Sequence, residues 1–68
     1  MPFIHVRITE GGVTAEQKAE IIRKMTDVMV DTLGKNPATT MVVIDEVPTD
    51  NWGIAGQSVT QIRKAPKK

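Results

Sequence analysis

The chain contains no cysteine and no tyrosine, and only one each of histidine, tryptophan, phenylalanine and serine. Without cysteine there is no disulfide, no cysteinyl zinc and no thiol nucleophile. A lone His5 cannot build a multi-histidine metal site. Charge of neither sign dominates, because nine Lys and Arg stand against eight Asp and Glu for a net +1. That balance is too weak to argue for a nucleic-acid partner. Only the tail, Arg63-Lys64-Ala65-Pro66-Lys67-Lys68, is locally basic. The longest aliphatic run, Met41-Val42-Val43-Ile44, is far short of the roughly 20 residues that a membrane span needs. No charged segment leads into an apolar one at the N-terminus, as a signal peptide would require. The expectation is a cytoplasmic protein with no metal, no nucleic-acid partner and no membrane partner.

What is present is a short chain of ordinary globular composition, 68 residues with 40% hydrophobic and 25% charged side chains. A chain of that length buries only about 60% of the surface its unfolded form exposes, so its own core is marginal. Disulfides, metals and oligomerisation are the usual remedies. The first two are excluded by composition, which leaves assembly with further copies.

From Phe3 to Thr9 the residues alternate, Ile4, Val6 and Ile8 on one face and Phe3, His5, Arg7 and Thr9 on the other. That period of two predicts a half-buried strand, ended by Glu10-Gly11-Gly12. Thr14 and Gln17 form a capping box that opens a helix. Ile22, Met25, Met29 and Leu33, widened by Ile21 and Val28, supply its apolar stripe. Gly34 is placed to end it and Pro37 forbids continuation, so the spacing predicts a helix over residues 15–33. Asn36-Pro37-Ala38-Thr39-Thr40 reads as one capped turn. Met41 to Val47 is nearly continuous in apolar and β-branched residues, the pattern of a strand covered on both faces. The result is a single β-α-β unit with parallel strands joined by a right-handed crossover. Trp52-Gly53-Ile54-Ala55-Gly56, after a turn over residues 48–51, suggests a short hairpin. Two strands leave two sheet edges and an uncovered face. The expected remedy is again a multimer, built from dimers whose sheets join.

Common catalytic sets are missing. Ser58 has no G-x-S-x-G context, and neither a phosphate loop nor a dinucleotide fingerprint occurs. Asp45 and Glu46 are adjacent on a strand and point to opposite faces, where ion pairing and solvation account for both. Pro2 is different. If Met1 is removed, Pro2 becomes a secondary amine, and no internal residue offers such a group. Desolvation lowers the proton affinity of an amine, and one tuned toward the operating pH serves as a general base. The plainer account is a proline tolerated at the start of an edge strand.

The order Pro2-Phe3-Ile4, Glu10-Gly11, Glu16-Gln17-Lys18, Asp45-Glu46-Val47 and Asn51-Trp52-Gly53-Ile54-Ala55-Gly56 resembles the 4-oxalocrotonate tautomerase family over almost the full chain. The resemblance implies an α/β (α+β) tautomerase-like domain spanning residues 1–68, with residues 63–68 a frayed basic tail. It implies dimers that commonly assemble as hexamers, and keto–enol tautomerisation without a cofactor. Pro2 matches the amino-terminal proline that acts as general base or acid. Trp52 matches the aromatic that lines the active site in the family's N/H-aromatic-Gly-Ile-Gly-Gly segment. The chain also departs from the family. Members that handle dicarboxylates carry an Arg after the Glu-Gly pair and another near the start of the second strand. Here those positions are Gly12 and Met41, so the chain resembles a divergent member lacking both. Arg7, or Arg63 from a neighbouring subunit, is the candidate substitute. Two functions are compatible with these residues: a tautomerase acting on a small enol or 2-oxo acid, and a catalytically silent oligomeric or small-ligand-binding protein of the same fold.

Overall fold

The computed structural model describes residues 1–64. Strand β1 spans Phe3–Thr9, helix α1 spans Ala15–Leu33, and strand β2 spans Met41–Val47. They are followed by a hairpin of two very short strands, β3 (Gly53–Ile54) and β4 (Gln57–Ser58), and a final helix α2 (Val59–Lys64). One turn of 3-10 helix precedes β2 at Pro37–Thr39 and another precedes the hairpin at Thr49–Asn51. β1 and β2 are parallel, in a register that pairs Phe3 with Met41, His5 with Val43 and Arg7 with Asp45. β3 and β4 are antiparallel. The β-α-β architecture with its short hairpin is the one expected.

Local chemistry sets the ends of α1. The Thr14 hydroxyl accepts the Gln17 amide N–H at 3.1 Å, and the Gln17 side chain accepts the Thr14 N–H at 2.9 Å. At the other end Gly34 takes the left-handed conformation (φ 66°, ψ 26°), which a residue with a Cβ adopts only at a cost.

The packing differs from the sequence expectation in one respect. Val42 and Ile44 of β2 are half-buried, but Met41 and Val43 on the opposite face are 47% and 44% exposed. So among the described residues β2 is covered on one face, not both. Helix α1 lies on the covered side, where Lys18 forms an ion pair with Glu46. Its apolar stripe is also only partly buried, since Ile22, Met25, Val28 and Leu33 are all exposed. The reason is width. A helix with side chains is about 10–12 Å across, whereas two strands lie only about 5 Å apart. Among the described residues Val59 is the one buried hydrophobic. The Cα radius of gyration is 15.8 Å, against about 11 Å for a compact chain of this length.

The expected tail over residues 63–68 falls only in part within the described residues. Arg63 and Lys64 belong to the last turn of α2. The remainder of that tail, 65–68, lies outside the described residues. The signal for α2 was readable: Ser58 and Gln61 form a second capping box, with the Gln61 N–H donating to the Ser58 hydroxyl at 3.2 Å and the Ser58 N–H to the Gln61 side chain at 3.0 Å. No helix among the described residues is long and apolar enough to cross a membrane.

Candidate active site

Pro2 stands at the open end of the parallel sheet, immediately before β1. Its carbonyl accepts the Met41 N–H at 3.0 Å, which fixes the residue against the first residue of β2. Pro2 is half-buried, while Met1 is 84% exposed and projects away from the fold. Removing Met1 would therefore disturb little packing and would free the ring nitrogen in place. Phe3 and Met41, paired in register and exposed at 59% and 47%, make the adjoining surface apolar.

Trp52 lies at the end of the 3-10 turn before the hairpin, half-buried, and its carbonyl accepts the Val59 N–H at 2.7 Å. That bond ties the hairpin to α2, and a Thr49–Thr60 hydroxyl contact at 2.6 Å ties the turn to α2. This small unit hangs from the far end of the sheet. The Glu10 N–H donates to Val47 there at 2.8 Å, and Arg63 reaches the Thr9 hydroxyl at 3.4 Å. At about 3.3 Å per residue, Thr9 stands roughly 23 Å along β1 from Pro2. Within one chain Pro2 and Arg63 are thus at opposite ends, and the unit carrying Trp52 is anchored at the end away from Pro2.

Arg7 is on the sheet face away from α1. Its guanidinium lies 3.6 Å from Asp45, and His5 lies 3.7 Å from the same carboxylate oxygen. Asp45 and Glu46 are each spoken for by basic side chains, on opposite faces, as strand geometry requires. Ser58 is the helix cap just described and not a nucleophile aligned with a base. Among the described residues no three His, Asp or Glu gather to hold a metal. A groove beside the start of α1, lined by Val13, Gln17, Glu20, Ile21 and Lys24, contains none of the candidate residues. The described residues thus hold Pro2 at one end of the parallel sheet and the Trp52 hairpin and Arg63 at the other, with little buried between them.

Comparison with known proteins gives the family. Residues 2–62 match the family described as Tautomerase enzyme, and the chain belongs to that family. It is 66% identical over 64 residues to Probable tautomerase K2 of Dickeya dadantii, an alignment covering 94% of this chain and 96% of that protein. It is 40% identical over 62 residues to the 2-hydroxymuconate tautomerase of Pseudomonas putida, covering 91% and 97% of the two chains. The fold superimposes with a TM-score of 0.82 on a chain of the heterohexamer 4-oxalocrotonate tautomerase from Chloroflexus aurantiacus. That pair is 28% identical, with 93% of this chain and 100% of the other covered.

Proposed function

We propose that this chain is a cofactor-free keto–enol tautomerase of a small enol or 2-oxo acid, with the Pro2 nitrogen as the proton carrier once Met1 is removed. The observation that carries the reading is the placement of Pro2. It is held by its carbonyl on Met41, half-buried beside apolar Phe3 and Met41, and preceded by a residue 84% exposed. Burial penalises the charged form of an amine, the condition that a proton carrier at this place requires.

The amine takes the proton of the enol hydroxyl, leaving an enolate. Electrons move from that oxygen through the conjugated system, and a carbon takes the proton back from the Pro2 ammonium. Atoms, charge and oxidation level are unchanged overall, and the substrate carbonyl serves as its own electron sink. The enolate oxygen and the carboxylate need donors while charge develops. Arg7 already has Asp45 as its counter-ion. Arg63, whose hydrogen bond among the described residues is to a neutral hydroxyl, is the better candidate. With Arg63 at the other end of β1 from Pro2 and the Trp52 hairpin anchored there, both would be supplied by a neighbouring copy, Trp52 as the apolar wall and Arg63 as the cation. The assembly is dimer-based, and a hexamer is consistent with the heterohexameric relative.

The test is ketonisation of 2-hydroxymuconate and of phenylenolpyruvate, followed by ultraviolet absorbance on protein whose intact mass shows Met1 removed. Activity on at least one, abolished when Met1 is retained and reduced at least about 100-fold by Pro2→Ala, is expected. Full activity of a Met1-processed Pro2→Ala protein would overturn the role of Pro2. No activity with a free N-terminus and intact oligomer would favour a silent ligand-binding protein of this fold.

A further inference from the structure

Pro2 adjoins a patch of exposed apolar side chains. Its carbonyl holds the Met41 N–H at 3.0 Å, and Met41 pairs in register with Phe3. Both side chains lie on the sheet face away from α1, with Phe3 59% and Met41 47% exposed. A molecule that brings a reacting atom to the Pro2 nitrogen therefore has this patch within reach of the rest of its length.

Among the described residues the cations stand elsewhere or are already paired. Arg7 is four residues along β1 from Phe3, about 13 Å away, and has Asp45 at 3.6 Å. His5, nearer to Phe3, meets the same carboxylate oxygen at 3.7 Å. Lys18, Arg23 and Lys24 belong to α1, on the other side of the sheet. Lys35 follows the end of that helix and is tied to it, its N–H donating to the Met29 carbonyl at 3.3 Å. Arg63 and Lys64 are on α2, which is anchored at Thr9. A carboxylate laid on the Phe3–Met41 patch would lose water and gain no counter-ion, which is costly. An alkyl or aryl group laid there gains with each methylene removed from water.

We propose that the substrate is a 2-oxo acid with a single carboxylate and an apolar tail, and that Phe3 and Met41 select it by receiving the tail. This names the substrate class for the reading of Pro2 as proton carrier, on which it rests. The carboxylate lies at the reacting end of the molecule, where Arg63 from a neighbouring copy is the cation. One cation serves one carboxylate, and the patch serves the remainder.

Protein with Met1 removed is incubated in deuterium oxide with a series of 2-oxo acids, and proton magnetic resonance follows exchange of the hydrogens on carbon 3. The series runs from 2-oxobutanoate through 2-oxohexanoate to 2-oxooctanoate, beside the diacid 2-oxopentanedioate. We expect kcat/KM to rise about twofold per methylene, against a limit of about fourfold for complete burial. 2-Oxohexanoate should exceed 2-oxopentanedioate, which carries a carboxylate where the first has an ethyl group, by at least about tenfold. Met41→Gln should flatten the rise. The slope is a ratio within one protein, so lost assembly cancels from it. A flat series in the unaltered protein would overturn the apolar tail, and a diacid used as well as 2-oxohexanoate would overturn the single carboxylate. An undiminished slope in both Met41→Gln and Phe3→Gln would remove the patch as its cause. Failure to act on any of these acids or on phenylenolpyruvate, with the N-terminus free, would instead count against Pro2 as the proton carrier.

Discussion

Lys18, in the first turn of α1, and Glu46, near the end of β2, form an ion pair across the interior side of the sheet. Both side chains are about two-thirds shielded, at 33% and 28% exposure. The pair pins the start of the helix over the second strand, 28 residues later in sequence. A pair of intermediate burial stands between the small worth of surface bridges and the large penalty for breaking a buried one. Lys18→Met is expected to cost about 1–2 kcal/mol, measured as the urea midpoint at fixed protein concentration. A double variant, Lys18→Met with Glu46→Leu, should lose less than the two single losses combined, because it leaves no charge unpaired.

The hairpin turn offers a stabilising change. Ala55 sits at φ 53° and Gly56 at φ 83°, the two left-handed positions of a two-residue hairpin loop. Ala55 stands where the family segment has glycine. An alanine held there is strained, so Ala55→Gly should stabilise the protein by about 0.5–1 kcal/mol. Thermal unfolding at matched concentration checks the sign, since the same change at an ordinary helical alanine such as Ala19 should destabilise by a similar amount.

A core shared between copies makes stability depend on concentration. With Val59 the one buried hydrophobic among the described residues, the isolated chain has little to hold it. For a dimeric unit, tenfold more protein should add about 1.4 kcal/mol of apparent stability. An unfolding midpoint that is constant from nanomolar to millimolar protein would show that the chain is stable alone.

By the resemblance, Met41 matches a position where members that take dicarboxylates carry arginine, and its N–H is bonded to the Pro2 carbonyl. Met41→Arg should raise kcat/KM for 2-hydroxymuconate relative to phenylenolpyruvate by about tenfold, the worth of one charge-assisted hydrogen bond. The ratio of the two substrates is the readout, because a general loss of assembly would cancel from it.

Much of the fold was legible because its signals are local. The alternation from Phe3 to Thr9, the Thr14–Gln17 box and the Gly34 stop are read within a few residues, and the observed elements follow them. The Ser58–Gln61 box is equally local and marks the start of α2, which runs through Lys64. Pro2 and Trp52 stood out because one has unusual chemistry and the other is the chain's lone tryptophan.

By itself, the sequence determined which elements form, that the two long strands run parallel, and that no disulfide or cysteinyl metal site supports them. Tertiary structure alone decided which surfaces go uncovered. Period-two alternation distinguishes two faces of a strand but does not say whether the second face finds a partner, and here Met41 and Val43 stay exposed among the described residues. Nor could spacing along the sequence separate Pro2 from the Trp52 hairpin and Arg63. That separation follows from a straight strand of about 3.3 Å per residue, which holds its two ends apart, and from the contacts that anchor the last unit at Thr9 and Glu10.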